Sequence, residues 1–157
     1  MKKLYDGVIE GKYSSDEDAL EGLYETKEFL QSFQKLKYRL KQRLINTIFF
    51  IDVNKPSFDE TQKAFYSSQK LATAVDILLG RGARKTAIAI AERTLRITLK
   101  FEFTDISLNL LKRLTRHFGV MEKNRKKFSK YSLLLDEHLN IFQAETLAEQ
   151  YLSLIHI

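Results

Sequence analysis

Residues 84–119 read RKTAIAIAERTLRITLKFEFTDISLNLLKRLTRHFG. Ala87, Ala91 and Leu95 recur every four residues, and Leu108, Leu111, Leu114 and Phe118 follow at spacings of three, three and four. That is the period of a helix with one buried face, repeated twice across a short break. The spacing predicts one helix from about Ala83 to Glu102. It predicts a second, capped by Thr104 and Asp105, ending at Gly119.

The same period extends to both sides. Asn124 can cap a further helix, with Phe128, Tyr131, Leu135, Leu139 and Phe142 along one stripe. Ser57 and Glu60 have the spacing of a capping box for a helix running to Gly80, the expected closing glycine. Before it, DVNKP (52–56) breaks a helix that starts near Thr26 and carries Phe29, Phe33, Leu36, Leu40 and Leu44. Its last eight residues, LINTIFFI (44–51), are apolar nearly all round and are expected to be the most buried segment. Ser14 and Ser15 ahead of Asp16-Glu17-Asp18 read as the cap and acidic first turn of a short helix ending near Tyr24. Nowhere does the chain alternate with period two over strand length. The expected fold is all-α, five long or medium helices plus a short N-terminal one.

Setting 83–102 against 124–143 superposes Ala87 on Phe128, Ile90 on Tyr131, Thr94 on Leu135 and Thr98 on Leu139. A helix–turn–helix rhythm at this period is that of stacked αα pairs. The segment 83–143, through Ala87-Ile88, Ala91-Glu92, Leu95, Leu108, Leu111, Leu114 and Gly119, resembles a tetratricopeptide-type repeat. The aromatic-Leu-Gly triplet and the closing Pro of that family are absent. The resemblance implies antiparallel helix pairs stacked as a right-handed solenoid, with small residues at Ala87 and Ala91 where helices approach closely. A plain helical bundle is the alternative.

The chain has 157 residues, 29% of them charged, with one Pro, six Gly and no Cys. That excludes a disulfide framework and thiolate chemistry. Its net charge of +6 is unevenly placed. Residues 1–28 carry four Lys and eight Asp or Glu, a local −4, whereas 81–130 carry fourteen Lys or Arg and four acids, a local +10. The N-terminus lacks the apolar core of a signal peptide, and no apolar run is long enough to span a bilayer. The expected location is cytoplasmic, with no membrane partner.

No arrangement of side chains has the spacing of a catalytic or metal site. His117, His138 and His156 lack the i, i+4 partners that metal ligation needs. No enzyme activity and no cofactor are expected. The Gly-rich turn GRGARKT (80–86) offers Arg81, Arg84 and Lys85 at a helix N-terminus for anion binding. Arg125, Lys126 and Lys127 form a second candidate anion-binding group. A helix-turn-helix reading of 114–128 fails on Thr115 and Arg125, which occupy positions that such a motif packs. The expected function is a helical repeat scaffold for an unknown protein or peptide partner. The alternative is a basic module that contacts nucleic acid or another polyanion through phosphate charge.

The last six residues, LSLIHI (152–157), match the translation of a transposon end used in fragment-library preparation. They are expected to be a non-native tail on a single α-helical domain, 1–151, cut from a larger protein. Self-association through the cut end would follow, and a catalytic part beyond it stays open.

Overall fold

A computed structural model describes residues 1–24, 29–48, 50, 52 and 58–155. Those residues form seven α-helices and no strand. By its internal contacts the chain divides into two compact units, Met1–Ile51 and Asp52–Ile157, where one domain over 1–151 was expected.

The first unit contains α1 (Lys2–Ile9), α2 (Asp16–Leu23) and α3 (Leu30–Ile48). Helix α1 was not anticipated from the sequence. It buries Leu4 with Ala19 and Leu20 of α2 and Phe33 of α3. The Tyr13 ring, in the connection between α1 and α2, lies against Gly7 and Gly22. A Cβ at Gly22 would fall 2.7 Å from that ring. Two glycines are therefore what lets one aromatic side chain close over both helices. The cap of α2 is as expected: Ser15 Oγ accepts from the Asp18 N–H at 3.1 Å. The start proposed for α3 at Thr26 lies outside the described residues.

The LINTIFFI expectation is overturned. Leu44, Ile45 and Ile48 are exposed and Phe50 is 83% exposed, while Phe49 and Ile51 lie outside the described residues. The reason is length. Helices α1 and α2 have eight residues each, about 12 Å at 1.5 Å per residue, and α3 extends about 28 Å. They cover Phe33, Leu36 and Leu40, and among the described residues of this unit no core residue packs on the last turns of α3.

The second unit contains α4 (Glu60–Gly80), α5 (Arg84–Lys100), α6 (Thr104–Arg116), a π-helical segment (His117–Met121) and α7 (Arg125–Ile155). Each helix packs on the next, and α4 also packs on α6. Asp76 near the end of α4 bonds Arg113 near the end of α6, so these two run parallel and α5 runs back between them. The core is Val75 from α4, Ala87, Ala91 and Leu95 from α5, Leu111 and Leu114 from α6, and Phe118. Ala87 and Ala91 are fully buried. Only one residue of α7, Tyr131, is buried; its ring stacks on Phe118 at 5.5 Å.

Several helix ends differ from expectation. The capping box of α4 is Asp59 with Gln62, two residues beyond the Ser57 and Glu60 expected; Ser57 itself lies outside the described residues. Both boxes satisfy the spacing rule, and Asp59 is the stronger carboxylate acceptor. Gly80 is the last helical residue of α4, not its closing glycine. Gly82 takes the left-handed conformation (φ 79°), and Ala83 N–H donates back to Leu78 O at 2.9 Å. Helix α5 closes the same way, with Phe103 N–H donating to Thr98 O at 2.9 Å, but there the left-handed residue is Glu102 (φ 57°). Thr104 does not cap α6; its hydroxyl donates to Glu145 of α7 at 2.9 Å. Asn124 does cap α7, accepting from Lys127 N–H at 3.1 Å.

Candidate functional site

Two clusters of charged side chains stand out in the second unit. The first is the packing seam where α7 begins. Lys127 Nζ lies 3.1 Å from Glu92 Oε1 and 4.5 Å from the centroid of the Phe118 ring. Tyr131 donates its hydroxyl to the same Glu92 oxygen at 2.9 Å. Burial, reinforced by the hydrogen bond to Glu92 and that carboxylate's charge, pushes the Tyr131 phenol up to about 12. The Lys127 ammonium thus ties α5 to α7 over an aromatic stack and is already compensated.

The second place is a cleft of about 400 Å³ formed by α4, α5, α6 and the π-helical segment. Arg84 of α5 lines it together with Arg113, Arg116 and His117. Asp76 is the one carboxylate in the lining, and it accepts from Arg113 Nε at 2.7 Å. His117 Nε2 lies 3.2 Å from Glu122 Oε2, which orients the ring. Among the described residues neither Arg84 nor Arg116 has an ion-pair partner. Leu79 and Met121 supply apolar wall.

Of the six cations selected from the sequence, then, Arg84 enters a built cavity and Lys127 enters a structural network. Arg81 and Lys85 stand exposed at either side of the α4–α5 turn, and Arg125 and Lys126 are exposed in the first turn of α7. The sequence reading missed Arg113, Arg116 and His117. Their spacing of three and one places 113, 116 and 117 on one side of a helix, which was legible; that Arg84 would face them was not.

A third feature is apolar. A groove of about 340 Å³ between α6 and α7 has Leu108, Leu139 and Phe142 in its lining, with Asp105 and Lys112 beside them. Leu139, Ile141, Phe142 and Leu147 of α7 are all exposed to about two fifths or more, and Ile155 reaches 75%. Helix α7 has 31 residues, about 46 Å, against about 20 Å for the 13 residues of α6. Thr104 at the start of α6 reaches Glu145, so the last third of α7 outruns the helix it packs on.

The acidic turn Asp16-Glu17-Asp18 serves its own helix. Hydrogen bonds from Ser14 hold the Asp18 carboxyl below the usual carboxylate range, and Lys37 pairs with Asp16. His138 Nδ1 meets the carbonyl of Leu134 at 2.9 Å. Among the described residues no group of three His, Asp or Glu could hold a metal ion, and no helix is long and apolar enough to cross a membrane. Comparison with protein-family models, with curated proteins and with solved structures finds no match to this chain.

Proposed function

We propose that the second unit is a helical repeat scaffold that takes an amphipathic helix of a partner protein along the groove between α6 and α7. The stacked-pair arrangement is supported by period. Ties between alternate helices recur at nearly constant separation: 37 residues from α4 to α6, and 35 and 39 residues from α5 to α7. Those separations are a little longer than the period of about 34 residues in tetratricopeptide-type stacking.

The observation that carries the function is the uncovered apolar groove. Leu139 and Phe142 lie three residues apart on α7 and share their groove with Leu108. Apolar anchors at i, i+3 or i+4 on a partner helix fit such a seam, and Asp105 and Lys112 at its rim would fix direction. Selection of helical peptides from a display library tests this. Selected peptides should carry apolar residues at three- and four-residue spacing and lose at least about tenfold in affinity for a Phe142→Ser chain. Peptides that bind the Phe142→Ser chain as tightly as the unaltered one would sink the proposal.

A second reading, a surface for polyanions, has its own support. Arg81, Lys85, Arg125 and Lys126 are exposed and, among the described residues, have no ion-pair partner. Retention on heparin that falls steeply with salt and drops in a Lys126→Glu chain would favour it. Retention unaffected by that substitution would leave these cations as solubilising charge.

A further inference from the structure

Peptide docking on α7 leaves the cationic cleft unexplained. Its volume of about 400 Å³ is that of a small-molecule site. Arg113 is neutralised by Asp76. Arg84 and Arg116 remain, two guanidinium groups from different helices that line one cavity and, among the described residues, have no ion-pair partner. Like charges brought together without compensation oppose folding, and neither side chain repays this by packing, since both are exposed. Arg84 also stands in the first turn of α5, where the helix dipole disfavours a cation, and the N-cap Ala83 makes no side-chain cap. Each of these penalties turns into a gain when an anion enters.

The geometry points to a binding site for a small organic phosphate, a dianionic phosphomonoester held between Arg84 and Arg116 with its apolar body against Leu79 and Met121. Two uncompensated cations match the charge of a phosphomonoester. A carboxylate would balance only one of them. Guanidinium forks meet two phosphate oxygens at once, a fit that an ammonium cannot reproduce. The unbranched Met121 side chain adapts to the shape of the body. A polyanion is served by a flat basic surface and has no use for an apolar-walled cavity.

Titration calorimetry on the full chain with phenyl phosphate, inorganic phosphate, benzoate and a short single-stranded DNA tests this. Phenyl phosphate should bind saturably and more tightly than inorganic phosphate or benzoate. Arg84→Gln and Arg116→Gln should each weaken it about tenfold, the size expected for one charged hydrogen-bonding group. Both side chains are exposed and, among the described residues, without an ion-pair partner, so the variants should have a thermal midpoint no lower than that of the unaltered chain. Phe142→Ser, which tests the α7 groove, should leave phenyl phosphate affinity unchanged. Affinity for phenyl phosphate that is absent, or unchanged from the unaltered chain in either Arg variant, overturns the site. Equal affinity for benzoate overturns the dianion, and equal affinity for inorganic phosphate overturns the apolar body. DNA that binds in place of phenyl phosphate, weakened equally by Lys126→Gln and Arg84→Gln, would assign these cations to a polyanion surface.

Discussion

Thr94 and Thr98 sit one turn apart on the same face of α5, both 0% exposed, and they make a matched experiment. Thr98 donates its hydroxyl to Leu95 O at 3.1 Å and accepts from the buried Ser107 hydroxyl at 2.8 Å. Among the described residues the Thr94 hydroxyl has no hydrogen-bond partner. Valine has the same shape and nearly the same helix propensity, so each substitution isolates the hydroxyl. At Thr94 the change removes an unsatisfied buried polar group, worth about 1–3 kcal/mol, and adds a buried methyl. Thr94→Val should stabilise by about 1–2 kcal/mol. At Thr98 it strips Ser107 of its acceptor inside the core, and Thr98→Val should destabilise by about 1–2 kcal/mol. Urea unfolding with an unchanged m-value measures both, and hydrogen exchange at α5 amides assigns the effect to the second unit. A destabilising Thr94→Val, or a neutral Thr98→Val, would refute the reasoning.

Three other outcomes follow from the geometry. Tyr131 has a phenol raised from 10 to about 12 in the folded chain, so the stability it contributes is intact below pH 10 and is lost as pH rises towards 12; tyrosinate absorbance, compared with Tyr131→Phe, reads this. Glu102→Gly should stabilise by about 1 kcal/mol, because only glycine enters the left-handed conformation at φ 57° freely; a fall in thermal midpoint would contradict it. Deleting 152–157 should change stability by no more than about 0.5 kcal/mol, since Leu152, Leu154 and Ile155 are all exposed; a loss of several kcal/mol in urea titration would show that the tail packs.

Periodicity made α5 and α6 legible in type, extent and buried face, because alternate small and large apolar residues leave little choice of which side faces in. The Ser15 and Asn124 caps were legible for a similar reason: a side-chain acceptor acts on its own next turn. What failed was anything set by a neighbour. Gly80 and Gly82 are equivalent as sequence, and only the closing hydrogen bonds of Leu78 and Leu79 select Gly82. Thr104 had the chemistry of a cap, but Glu145, forty-one residues on, claims its hydroxyl. The apolar end of α3 reads as core because composition is local and coverage is not. The site divided along the same line: Arg84 was identified as an anion-binding candidate by its place at a helix start, whereas its companions on α6 come to it only through the packing of α4, α5 and α6.

The dominance of α4, α5 and α6 in the second core also bears on the order in which the chain can acquire structure as it is made. These helices are joined by three-residue turns at 81–83 and 101–103, each locked by a backward backbone bond. Docking each new helix therefore closes a short loop, and short closures are entropically mild and fast. By the time Phe118 has left the ribosome, every side chain of the buried cluster except Tyr131 exists and can pack. Helix α7 comes last, adding Tyr131 to that cluster with Leu134 and Leu135 packed against it.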